Sequence, residues 1–265
     1  MDKRQFLASA AAALILASAN TAFAARAFIG TYTPDLENPH AYANGTGEGI
    51  YLVNVDDATG ALSGLKLVAT DKSPAWFTLS ADHKFLYTVN EIEAYGPGKS
   101  GSVTAYAVDT KSGALRKLNT VDSGGAGPCF ISIHASGKFA LVANYIGGSY
   151  SVLPIKADGS LGEASDVVKP GGPAGSASAV DAPPGQAPAA LNRPTHGHMI
   201  ASDPSGQYVV GDDAGRDRIF VWRLDTGTGK LAEVSVTRAL AGSARPVPAP
   251  AAHPPRWRSW PGRPA

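Results

Sequence analysis

The chain has 265 residues, 30 of them Gly and 20 Pro, with only 17% charged and a formal net charge of +1. That size holds one large domain or two small ones, and the composition favours a turn-rich β protein over a helical one. A near-neutral chain without a Lys/Arg stripe before its extreme C-terminus excludes a nucleic-acid footprint.

The first residues read "MDKRQFLASAAAALILASANTAFA". A basic start at Lys3 and Arg4, a short apolar run from Leu7, and Ala22-Phe23-Ala24 predict a secretory signal peptide over residues 1–24, cleaved after Ala24. The run is too short to span a bilayer. Lys3-Arg4-Gln5-Phe6-Leu7 also approaches a twin-arginine signal, so the export route stays open. Removing the signal takes away Lys3, Arg4 and Asp2 and leaves 21 basic against 21 acidic residues. A periplasmic or secreted domain, with no membrane attachment after cleavage, is expected. One cysteine, Cys129, allows no intrachain disulfide, so core burial must hold the fold. Cys129 precedes an apolar run and reads as a small buried residue rather than a nucleophile.

Two kinds of hairpin then alternate along the chain. The first reads "WFTLSADHKFLYTVNE" (76–91), "FISIHASGKFALVANY" (130–145) and "MIASDPSGQYVVGDD" (199–213). The second reads "GIYLVNVDDATGALSG", "GSVTAYAVDTKSGALRK", "GSYSVLPIKADGSLGE" and "RIFVWRLDTGTGKLAE", each returning on a leucine: Leu62, Leu115, Leu161 or Leu231. Alternation of period two marks the strands. Asp and Gly in the turns supply side-chain acceptors and positive φ for tight hairpins. Two hairpins per long period predict a four-stranded repeat, the blade of a β-propeller. A many-hairpin sandwich is the alternative, and the regular period argues against it. The Pro/Gly/Ala stretch 170–194 reads as a surface insertion.

After Thr237 the pattern stops. Seven of the last 20 residues are proline and no acid follows Glu233, so no strand is expected there. The domain is predicted over 25–243. Residues 244–265 read as a disordered Pro/Arg-rich tail, or as the product of a reading-frame shift near Gly242–Arg245 that truncates the protein.

The motifs "FIGTYT", "GEGIYLVNVD", "LYTVNE", "GPC", "VANYIGGSYSV", "HGH", "DPSG" and "DDAGRDRIFVW" occur in one order from Phe28 onward. Together they resemble the lactonase family of seven-bladed propellers, which includes the propeller-type 6-phosphogluconolactonases. The resemblance implies an all-β propeller with only about four blades present, an open arc rather than a closed ring. It implies hydrolysis of a sugar lactone by water activated at the central channel, with no cofactor. His196 and His198 match the family's paired histidines, with Thr195 where relatives have Pro. Asp213, Gly215 and Asp217 match its "D-L-G-x-D", with Ala214 for Leu. Phe130 stands where relatives often carry His.

In a propeller, polar residues at equivalent places of successive blades converge on the axis. His198, Glu91 and Asp213 are therefore the candidate catalytic residues, His198 or Glu91 as the base. Asn90, Asn144, Tyr145, His196 and Asp217 are the candidate substrate-binding residues. Asp213 and Asp217 fit turn closure as readily as chemistry. Two histidines at this spacing are half a metal site, but no third ligand is evident and no metal is assigned. Arg216 and Arg218 read as surface turn residues. The competing functions are a non-catalytic propeller that binds a ligand or protein, and an inactive remnant.

Overall fold

Among the residues that the computed structural model describes, 25–34, 44–171 and 195–238, fifteen strands form and no helix. The expected signal segment, most of the 170–194 insertion and the 244–265 tail lie outside the described residues.

The strands make four antiparallel meanders. The first holds β1 (Ala25–Gly30), β2 (Gly49–Val55) and β3 (Leu62–Thr70). The second holds β4 (Pro74–Leu79), β5 (Phe85–Asn90), β6 (Ser102–Val108) and β7 (Leu115–Asp122). The third holds β8 (Pro128–Ile133), β9 (Phe139–Asn144), β10 (Ser149–Pro154) and the short β11 (Asp166–Val168). The fourth holds β12 (Gly197–Ser202), β13 (Val209–Asp213), β14 (Arg218–Asp225) and β15 (Lys230–Arg238). Each hairpin read from the sequence is one pair of neighbours here except the last of the third blade, where Leu161 makes only an isolated bridge to Ile155 and the outer strand is Asp166–Val168. The four-strand expectation holds for three blades; the first has three strands, so β1 carries no inner neighbour among the described residues.

Three apolar cores separate the four sheets. Ile50, Leu86 and Tyr106 join the first and second. Tyr87, Val89, Val103, Ile131, Val142 and Leu153 join the second and third. Leu141, Tyr150, Ile200, Phe220 and Trp222 join the third and fourth. Strand alternation explains this: Leu141 and Ala143 face one neighbour, Ala140 and Val142 the other. Every middle blade thus has two buried faces, which is why β9 is buried at all six positions. A tyrosine hydroxyl ties each core: Tyr106 to Asp71 Oδ2 at 2.6 Å, Tyr87 to the Gly159 carbonyl at 3.0 Å, Tyr150 to the Asp212 carbonyl at 2.5 Å.

The inner strands β4, β8 and β12 lie side by side; Ser132 Oγ on β8 donates to the Ile200 carbonyl on β12 at 2.7 Å. Their first residues define one end of the molecule, where the longer loops gather.

Candidate active site

Each inner strand is bulged near its start. The register passes from Pro74–Asn90 to Trp76–Val89, from Pro128–Asn144 to Phe130–Ala143, and from Gly197–Asp213 to Met199–Asp212. The skipped residues Ala75, Cys129 and His198 are therefore equivalent. A bulge re-aims the side chain it skips. Cys129 Sγ reaches the next inner strand, 3.5 Å from the His198 carbonyl and 3.7 Å from that of Gly197. His198, last in the series, is exposed.

The loops that follow β5 and β9 supply the rest. Glu91 leaves β5 with its amide on the Ser73 carbonyl at 2.9 Å, and its carboxylate accepts the Tyr32 hydroxyl at 2.8 Å. Tyr145 leaves β9 in the equivalent way, with its amide on the Gly127 carbonyl at 2.8 Å. Its ring stacks on His196 at 4.4 Å and meets the edge of His198 at 5.7 Å. His196 Nδ1 lies 2.9 Å from the Tyr145 carbonyl, so that nitrogen carries the proton. Gly148 allows this approach: its φ is +61°, and a Cβ there would lie 2.3 Å from the Thr195 carbonyl.

Glu91, Tyr145, His196 and His198 are thus brought to one mouth around Cys129. Burial, and then the charges of Glu91 and Asp212, push the Cys129 thiol up to about 12. It stays protonated at neutral pH and donates, and it is half-buried rather than the fully buried residue expected. Burial and the bond to Glu91 likewise push the Tyr32 phenol up to about 12. Deeper along the axis, Trp76 and Phe130 form an aromatic step with centroids 5.0 Å apart.

Asn90, Asn144 and Asp213, expected at the substrate or in catalysis, are buried within the blades. They are the last residues of β5, β9 and β13 and turn into the blade. Asn90 donates to the Lys72 carbonyl at 2.7 Å and accepts the Ser102 and Thr104 hydroxyls. Asn144 Nδ2 lies 3.1 Å from the Ser123 carbonyl and from the Ser149 and Ser151 hydroxyls. Asp213 Oδ1 accepts the amides of His196, Gly215 and Arg216, each at 2.9 Å. The physical reason is shared: a strand end that meets a loop has amides and hydroxyls to satisfy, and a short polar side chain inside the blade does so. Asp217 takes a left-handed φ of +51° in the β13–β14 turn, where its type is tolerated. Arg216 is half-buried rather than on the surface, its Nε bonded to Thr195 Oγ1.

Asp212 and Tyr32 were missed. The doubled aspartate was the signal for Asp212, but only the bulge decides which of the pair faces the site. Burial raises the Asp212 carboxyl, opposed by the charge of His198. Among the described residues no group of three His, Cys, Asp or Glu is arranged to hold a metal ion. A cleft of about 390 Å³, lined by Arg26, Asn54, Lys66, Lys111 and Ser112, lies at the opposite end of the strands, away from this mouth.

Meandering blades set around a shared axis, with polar groups gathered at the bulged starts of the inner strands, define a β-propeller with an axial site. Residues 26–245 match the family model "Lactonase, 7-bladed beta-propeller", and the chain belongs to that family. The 6-phosphogluconolactonase of Bacillus subtilis is 30% identical over 200 residues, 76% of this chain and 49% of the relative. The periplasmic gluconolactonase of Pseudomonas aeruginosa superposes with a TM-score of 0.63 at 30% identity, covering 82% of this chain and 55% of that structure. A Lactobacillus plantarum protein gives 0.61 at 27%, covering 82% and 54%. The chain spans about half the length of these relatives.

Proposed function

We propose that this chain is an exported lactonase that opens a sugar lactone with water activated by His198. The exposed imidazole at the mouth, braced on Tyr145, carries this reading. Water attacks the lactone carbonyl carbon as His198 takes its proton. The tetrahedral intermediate then expels the ring oxygen, which receives that proton, leaving an open-chain hydroxy acid. Glu91, fixed by Tyr32, holds substrate hydroxyls, and the Trp76–Phe130 step receives the apolar face of the ring. Family membership supports hydrolysis of a lactone, and the sequence of residues 1–24 supports export.

The test is hydrolysis of δ-gluconolactone by the purified chain. His198→Ala is expected to lower kcat by about 100-fold, with the thermal midpoint unchanged because the side chain is exposed. Equal rates in both proteins would leave a ligand-binding propeller instead.

A further inference from the structure

We propose that Asp212 is the carboxylate partner of His198, a positioning residue that orients the imidazole and stabilises it when it takes up a proton. Its kinetic consequence rests on the lactonase reading; the pairing itself does not.

The fold places Asp212 for this. Met199 pairs with Asp212, and the bulge leaves His198 unpaired next to that pair on β12. Gly211 and Asp213, its neighbours on β13, face the other way: Gly211 lies against Trp222 and Tyr150, and Asp213 closes its own loop. The Asp212 backbone is pinned from the third blade by the Tyr150 hydroxyl on its carbonyl. The nearby Met199 amide favours the ionised carboxylate, against the effect of burial. Yet Oδ1 is sealed from solvent and has no hydrogen-bond partner. A buried carboxylate oxygen left in that state costs stability, roughly 1–3 kcal/mol or more for a charged group. Such an atom is retained where a donor is brought to it. The imidazole of His198, skipped next to the Met199–Asp212 pair, is the donor assigned to it, and a carboxylate behind a histidine fixes tautomer and orientation.

The charged and titratable groups around the pair are few. Glu91 comes from the loop after β5, Cys129 from β8, Tyr145 from the loop after β9 and Tyr150 from β10. His196 comes from the segment before β12. Asp213, Arg216 and Asp217 belong to the turn beyond Asp212. Of the cationic groups, His198 is the one whose charge favours ionised Asp212.

Two measurements test the pairing. The first follows the Asp212 carboxyl by carbon-13 NMR through a pH titration of the whole chain. Replacing His198 by Gln is expected to move its midpoint up by about half a unit or more, because an opposing charge is lost; His196→Gln is expected to move it less. No shift in the His198 variant, or an equal shift in both, overturns the proposal whether or not the chain is active. His198 is exposed, so this variant does not depend on repacking a core.

The second is the pH profile of lactone hydrolysis. His198 must be neutral to act as the base, so the acidic limb of kcat belongs to the His198–Asp212 pair. Asp212→Asn is expected to lower kcat about tenfold or more with KM little changed and to move that limb to lower pH, because the carboxylate no longer stabilises the imidazolium, and Asp212→Glu to restore part of the rate. An unaltered limb in Asp212→Asn overturns the proposal. A wild-type chain without hydrolysis, but with the NMR shift, keeps the pair and removes the lactonase reading.

Discussion

The two ends of each blade use the same residue types for opposite purposes. At the hairpin end, Asp56, Asp109 and Asp225 each cap their own turn. Asp56 accepts the amides of Ala58 and Thr59, Asp109 those of Lys111 and Ser112, and Asp225 that of Gly227. Gly60, Gly113 and Gly229 then return to the aspartate carbonyl, each at 2.7 Å and with φ near +70°. At the loop end, Asn90, Asn144 and Asp213 clamp the strand ends from inside. The next amide repeats too: Glu91 on Ser73, Tyr145 on Gly127, Ala214 on His196. The side chains of that next residue do not repeat, being an acid, an aromatic and a methyl. A shared backbone frame that carries unlike side chains is how repeated blades build one site.

The comparison breaks most severely at the clamp. Asn144→Ala strips a partner from a buried carbonyl and two hydroxyls and is expected to cost about 3 kcal/mol in urea unfolding. A change under 1 kcal/mol would mean the blade end is held otherwise. At the hairpin end, Gly60→Ala is expected to cost about 1 kcal/mol. It isolates the backbone term, since a Cβ at Gly60 meets nothing within 4 Å. Activity should be untouched there, in contrast to His198→Ala at the opposite end.

The smallest effect is acid sensitivity of the hairpin end. Asp82 is lowered from 3.8 to about 2, first by the Ser80 hydroxyl and then by the Lys84 amide. Asp56, Asp109, Asp203 and Asp225 are lowered by their own turn bonds. A carboxyl lowered by folding stabilises the fold above its unfolded value and loses that stabilisation as pH falls through the folded value. The thermal midpoint should therefore decline modestly between about pH 4 and pH 2, and Asp82→Asn should flatten that decline. An Asp82→Asn curve parallel to the wild type would show that the Ser80 bond does not persist in solution.

Much of the frame was legible in the sequence. Period-two alternation and Asp–Gly turns act over neighbouring residues, so the inner hairpins of three blades and the outer hairpins of the first, second and fourth could be placed; the outer strand of the third lies past the expected Leu161. The family motifs singled out His198, Glu91, Asn90, Asn144 and Asp213 alike, because a polar residue recurring at a strand end satisfies a clamp as well as a channel, and only the fold separates the exposed His198 from the buried clamps.

The sequence by itself determined the strands, their pairing into blades, and the turns that join them, because hydrogen bonding and burial periodicity there are local. Tertiary structure decided which polar residues face the axis. A one-residue bulge reverses the facing of Asp212 and Asp213 relative to the inner strand. Tyr32 meets Glu91 only because adjacent sheets pack, across 59 positions of chain, and no local pattern encodes that.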